Sequence, residues 1–150
     1  MYDPATTQRK IAEACYRIPD WQPKYHSQAQ IAHAIAHLDT LWDPEQKRIK
    51  RPSGKLTKDE FEFIQNERRL CALDFRGYWL PNYAWIINWY QQPERFKPNV
   101  AQSIIMDLWG EREALGVAIW MLQLKARRLG VSTLSELAVQ HRFQFWPHSN

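Results

Sequence analysis

The chain has 150 residues, 45% apolar and 24% charged, which suits a globular domain and excludes a disordered or fibrous chain. Twenty Lys/Arg against sixteen Asp/Glu leave a net charge of +4, compatible with a polyanionic partner without demanding one. Cys15 and Cys71, with no CxxC, exclude a disulfide framework or a Cys-based zinc site, and no apolar run approaches the ~20 residues of a membrane span.

Residues 1–10 are polar, so no signal peptide is expected and the chain reads as a cytoplasmic, reduced, soluble protein with no membrane partner. The first predicted helix covers 27–42. Ser27 and Gln30 have capping-box spacing, and Ile31, Ala34, Ile35, Leu38 and Trp42 share a face. Asp43-Pro44 ends it. His33 and His37 are one turn apart, a spacing that can chelate a metal, but no acidic third ligand accompanies them and they read as helix surface.

Residues 45–58 read as a basic loop. From Lys47 to Lys58 there are six basic residues, Lys47, Arg48, Lys50, Arg51, Lys55 and Lys58, and no acid, around a Pro52-Ser53-Gly54 turn. Such a loop is either solvated or in contact with DNA phosphates. Thr57 and Glu60 then predict the start of a second helix, running to about Leu73 with Phe61, Ile64 and Arg68 along its face. The aromatic segment that follows holds Tyr78, Trp79, Tyr83, Trp85, Trp89 and Tyr90, with Pro93 and Pro98 closing it. Rings of this kind stack on bases, but most of these are expected in the core.

Asn99 is placed to cap a third helix with Ala101, Ile104, Ile105, Leu108 and Trp109 on its apolar side, ending near Gly110 or Gly116. Residues 117–124 are almost wholly apolar and rich in Val, Ile and Trp, as in a strand buried on both faces of a parallel sheet. A basic turn over 125–131 leads to a last helix over 132–142, with Leu134, Leu137, Ala138 and His141 on one side.

Strand, Gly-containing basic turn, Ser-Thr and helix is the layout of a phosphate-binding loop. That chemistry needs backbone N–H groups curled at a helix N-terminus, a cation that reaches the phosphates and a hydroxyl for Mg2+. The turn reads Lys125-Ala-Arg-Arg-Leu-Gly130-Val131-Ser132-Thr133. Gly130 and Ser132 occupy the expected places. Val131 stands where the pattern G-x-x-x-x-G-K-S/T has its Lys, and Lys125 replaces the first Gly. Lys125, Arg127 and Arg128 instead place cations at the leading side of the turn. Taken alone, the turn also reads as a basic turn before a surface helix.

This turn, together with Phe96-Lys-Pro-Asn-Val-Ala-Gln102 and the segment from Cys71 to Tyr83, resembles the N-terminal ATPase region of bacteriophage terminase large subunits. These are the DNA-packaging motors that fill viral capsids. The family carries a deviant P-loop of the type KARQLGFST and an upstream Gln that reads adenine. The residues from His141 to Asn150 look like the lead-in to the family's next core strand, so the likeness spans roughly 68–150, while residues 1–67 match no motif.

The resemblance implies an α/β fold: a mostly helical N-terminal part, 1–67, followed over 68–150 by the first helix–strand–P-loop–helix of a P-loop NTPase, incomplete. It implies ATP and Mg2+ as ligands, and DNA, the terminase small subunit and the portal as partners in the host bacterial cytoplasm. Gln102 would bond the adenine edge. Lys125, Arg127 and Arg128 are the candidate phosphate cations, Arg127 favoured and Lys125 next. Gly130 would admit the phosphate to the backbone, and Ser132 or Thr133 would hold Mg2+, with Ser132 the better aligned.

Hydrolysis in such an ATPase needs a strand ending in Asp-Glu, and no apolar run here ends that way; Asp59-Glu60 belongs to a helix. The family's nuclease acidic cluster is absent from the sequence as well. The chain is therefore read as a truncated N-terminal fragment, with no catalytic residue assigned and little ATPase activity alone. The alternative is a small non-enzymatic DNA-binding or adaptor protein that uses the basic loop and the aromatics.

Overall fold

Capping boxes at Ser27, Thr57 and Asn99 each start a helix. The computed structural model describes residues 4–116 and 130–145. Helix α1 (Pro4–Arg17) opens the chain and has no counterpart in the sequence reading. Its apolar signal is thin: Ile11 is buried, and Ala14 and Cys15 are half-covered. Helix α2 (Gln28–Leu41) starts at Ser27, whose hydroxyl accepts from the Gln30 N–H while the Gln30 side chain accepts from the Ser27 N–H. Trp42 closes it, one residue before the expected stop.

Strand β1 (Trp42–Asp43) pairs antiparallel with β2 (Arg48–Ile49), Trp42 opposite Ile49 and Asp43 opposite Arg48. The basic stretch is therefore partly a hairpin rather than a plain loop. Helix α3 (Lys58–Leu73) repeats the capping box with Thr57 and Glu60. A π-helical turn (Phe75–Trp79) follows, with the Asp74 carboxylate accepting from the Gly77 N–H at 2.7 Å. Helix α4 (Leu80–Tyr83) leads into β3 (Trp85–Ile87), paired antiparallel with β4 (Pro93–Arg95). Helices α5 (Val100–Ala114) and α6 (Val131–Phe145) complete the described residues.

The architecture is mixed, mainly helical, with two small antiparallel ladders among the described residues. The expected boundary at 67/68 falls inside α3, and one core joins both stretches: Ile11, Trp21 and Ile31 with Leu70, Trp79, Met106 and Leu134. No described helix is long and apolar enough to cross a membrane. The strand expected at 117–124 lies outside the described residues.

Three of the expected faces need correction. In α3, Phe61 is 54% exposed and Arg68 is exposed, while Asn66, Glu67, Leu70 and Cys71 are buried. Two polar side chains occupy the inward face because each is saturated with hydrogen bonds, so apolar periodicity pointed to the wrong side. In α5 the buried residues are Gln102 and Met106, with Ile104 and Leu108 exposed. In α2, Ile35 and Trp42 are exposed while Ile31 is fully buried. The last helix meets its expectation: Leu134, Leu137 and His141 are buried, Ala138 is half-buried, and Val131 adds to the same side.

Candidate nucleotide-binding site

The Asn99-x-x-Gln102 spacing builds the first part of the site. Asn99 Oδ1 accepts from the Gln102 N–H at 2.9 Å, and Gln102 Oε1 accepts from the Asn99 N–H at 2.8 Å. The glutamine is thereby held at the head of α5, with only 4% of its surface exposed. Its other amide atom, Nε2, donates to the Gly130 carbonyl at 2.7 Å, 28 positions further along the chain.

Gly130 is the residue before α6. Its φ of +67° is left-handed, a conformation that costs a side-chain-bearing residue roughly 1–2 kcal/mol. A Cβ there would stand 2.6 Å from Gln102 Nε2. Glycine is needed on both grounds, backbone angle and close approach. The Gly130 carbonyl also accepts from the Leu134 N–H at 3.1 Å, so α6 propagates directly from it.

Ser132 and Thr133 lie in the first turn of α6; Ser132 is exposed and Thr133 half-buried. Val131, in the position of the usual P-loop Lys, is 5% exposed and belongs to the packed side. A phosphate cation must therefore come from elsewhere in the turn. Lys125, Arg127 and Arg128 lie outside the described residues.

Contacts at both ends fix how the two helices run. Gln102 meets Gly130 at their N-termini, and near their C-termini Arg142 Nη2 lies 3.5 Å from Glu113 Oε1. So α5 and α6 lie side by side and point the same way. Their N-terminal ends, with amides unpaired by the helices themselves and the positive dipole, sit at one end of the pair.

No family model, no curated protein and no solved structure matches the chain.

A cavity of about 830 Å³ lies at the other end of the helix pair, between α1, the π-helical turn and the C-terminal two-thirds of α5 and α6. It does not include Gln102, Gly130 or Ser132. Each of its cations faces a carboxylate: Lys10 Nζ meets Glu113 at 2.8 Å, Arg142 the same carboxylate, and Arg76 meets Asp107. That pairing leaves it a poorer phosphate site than the α6 N-terminus.

Sequence reasoning missed the most polar buried cluster. Glu67 accepts from the Tyr78 hydroxyl at 2.8 Å and the Tyr83 hydroxyl at 2.5 Å, from Asn66 Nδ2 at 3.1 Å, and has His26 Nδ1 at 2.7 Å. Burial, reinforced by the Glu67 contact, pushes both tyrosine hydroxyls above their ordinary range. Beside it, Asn66 takes the Trp21 indole N–H and the Lys24 N–H and donates to the Lys24 carbonyl. Together these clamp the segment between α1 and α2 onto α3. The available signal was an Asn-Glu pair in helical phase with Leu70 and Cys71.

The rings divide. Tyr78 and Trp79 are buried and Tyr83 half-buried, whereas Trp85, Trp89 and Tyr90 are 54%, 81% and 80% exposed, against the core expectation. They fall on a two-stranded hairpin, which buries only one face. His33 and His37 are both exposed; His37 Nε2 contacts Glu60 at 2.8 Å, and no metal-holding group of His, Cys, Asp or Glu occurs among the described residues. His141 Nε2 bonds the Cys71 carbonyl at 2.7 Å, and burial lowers its affinity for a second proton.

Proposed function

We propose that the chain binds ATP with Mg2+ beside Gln102 and the turn that ends at Gly130, as part of a terminase-type motor that drives phage DNA into a capsid. The observation that carries this reading is the Gln102–Gly130 contact. Two residues assigned by resemblance to the base and the phosphates of one nucleotide are neighbours, at the paired N-termini of two parallel helices.

Gln102 keeps one Nε2 hydrogen and one Oε1 lone pair beyond its capping bonds, which is the complement an adenine edge requires. Gly130, lacking a side chain, lets the Gln102 amide close on the turn, and the amides of the first turn of α6 are the groups proposed to meet the phosphates. Ser132, exposed in the first turn, fits the Mg2+ hydroxyl ligand better than the half-buried Thr133. When bound, Mg2+ would neutralise charge on the β- and γ-phosphates. Arg127, then Lys125 and Arg128, are the cations proposed to reach the phosphates. The acidic pair for hydrolysis is missing from these 150 residues, so the activity proposed is binding without turnover. DNA, the small subunit and the portal are the partners this reading implies.

A fluorescent ATP analogue titrated with and without Mg2+ tests it. Saturable, Mg2+-dependent binding that weakens at least tenfold in Gly130→Val and in Arg127→Ala is the expected result. Gln102→Ala should narrow the preference for ATP over GTP. Absence of saturable binding, or binding indifferent to all three changes, overturns the reading and leaves the non-enzymatic adaptor.

A further inference from the structure

The β1–β2 hairpin is the most strongly charged surface outside that site. Lys47, Arg48, Lys50 and Lys55 are exposed, and no ion pair forms at any of them among the described residues. The same stretch is held rigidly. Asp43 Oδ1 accepts from the Glu45 and Gln46 N–H groups at 3.0 and 3.1 Å, which closes the turn at whose end Lys47 takes a left-handed φ of 50°. The Lys50 N–H donates to the Leu41 carbonyl at 2.7 Å and extends the ladder.

Arg51 behaves differently from its neighbours. Its guanidinium makes a two-pronged contact with Glu60, both distances 2.7 Å, and Glu60 also takes the Thr57 N–H and His37. One cation thus anchors the hairpin to α2 and α3, and the rest face water.

Their spacing has a direction. Arg48 and Lys50 flank the half-buried Ile49, so they project from the outer side of one strand, about 6.6 Å apart at ordinary strand rise. That is the order of the distance between successive phosphates on a nucleic-acid strand. Lys47 at the turn and Lys55 beyond the next turn flank the pair. A lipid surface would favour an apolar side chain among the cations. Here Ile49 and Leu56 are half-buried, and Trp42, 46% exposed, stands opposite Ile49 on the face turned away from Arg48 and Lys50.

We propose that the β1–β2 hairpin is a sequence-independent contact for the phosphate backbone of duplex DNA, with Arg48 and Lys50 as its centre and Lys47 and Lys55 at its flanks. The contact does not rest on the nucleotide reading: a chain that binds duplex and no nucleotide keeps this surface and loses that site.

The test is fluorescence anisotropy of a labelled duplex of arbitrary sequence, titrated with the full chain between about 50 and 200 mM salt. The variants are Arg48→Ala/Lys50→Ala and, outside the ladder, Lys47→Ala/Lys55→Ala. Arg9→Ala/Arg17→Ala on exposed positions of α1 removes the same charge elsewhere. Each lost phosphate contact should reduce the slope of log affinity against log salt by about 0.9, and cost roughly tenfold near 0.1 M. Each hairpin pair should lose close to two such steps, and the α1 pair little, because it lies on a different element from the proposed contact. Equal losses in all three pairs would reduce the effect to net charge and overturn the proposal. So would a wild-type chain that fails to bind duplex at low salt, or hairpin variants that lose binding to anionic phosphatidylglycerol vesicles while keeping duplex binding.

Discussion

The Gln102–Gly130 contact makes a quantitative claim about two substitutions that share one cause. Gly130→Ala places a methyl group in a left-handed backbone, at a cost of about 1 kcal/mol or slightly more. It also places that methyl 2.6 Å from Gln102 Nε2, so the amide must move and release the Gly130 carbonyl, for about 1 kcal/mol more. Gln102→Ala removes the same bond and the capping bond to the Asn99 N–H, about 2 kcal/mol together, offset by a few tenths through the better helix propensity of Ala. In the double variant the bond is lost once and the methyl has nothing to strike. Its cost should therefore fall short of the summed single costs by about 1 kcal/mol, or about 3 °C in Tm. Urea unfolding of the four proteins, with equal m-values as the check on two-state behaviour, measures the term. Strict additivity within about 0.3 kcal/mol would mean that the two residues do not touch in solution, and the nucleotide site built on their contact would fall with it.

Glu67→Gln should destabilise the fold by about 2–4 kcal/mol, since a charged acceptor for two tyrosines, Asn66 and His26 becomes a neutral one, and chemical denaturation will read it. The Glu60 carboxyl is held well below the usual carboxylate range, first by Arg51 and then by the Thr57 N–H and His37. The unfolded chain therefore takes up this proton first as pH falls. The stability advantage of the wild type over Glu60→Gln should be complete above about pH 5 and shrink progressively below about pH 4, as followed by Tm from pH 7 to 3. Cys71 is buried and its thiol is pushed up by desolvation and by Glu67, so a thiol reagent should modify half-exposed Cys15 first and reach Cys71 only on opening of the core. Equal labelling rates in the native protein would contradict that burial.

Legibility followed the kind of signal each residue carries. Ser27, Thr57 and Asn99 announced helix starts because a capping side chain acts on amides two or three positions away, which is local information. The reciprocal partner of Asn99 was equally local, but Gln102 was read only for the role the resemblance gave it. Helix faces were harder. The inward side of α3 carries Asn66 and Glu67, and their partners Trp21, Lys24, His26, Tyr78 and Tyr83 are brought together only by the fold. A hydrophobic period counts such residues as surface. The faces of α2 and α5 were over-read for the opposite reason: Ile35, Ile104 and Leu108 are apolar and exposed, as a large share of folded surface is.

The direction of α5 and α6 takes the candidate site one step beyond residue identity. Adjacent antiparallel helices need only a short turn between them. Parallel neighbours cannot be joined that way, because the chain leaves one at its C-terminus and must enter the other at its N-terminus. Here the distance to be recovered, from the level of Glu113 to that of Gln102, is about 17 Å along the helix axis. A run of about five extended residues covers it. The thirteen residues between the two described stretches, 117–129, exceed that number. The exchange Arg142→Ala removes an exposed pair at 3.5 Å and keeps the Lys10–Glu113 contact, so it should leave the parallel arrangement and any nucleotide binding intact. Loss of both on that exchange would place the determinant of the site at the wrong end of the helices.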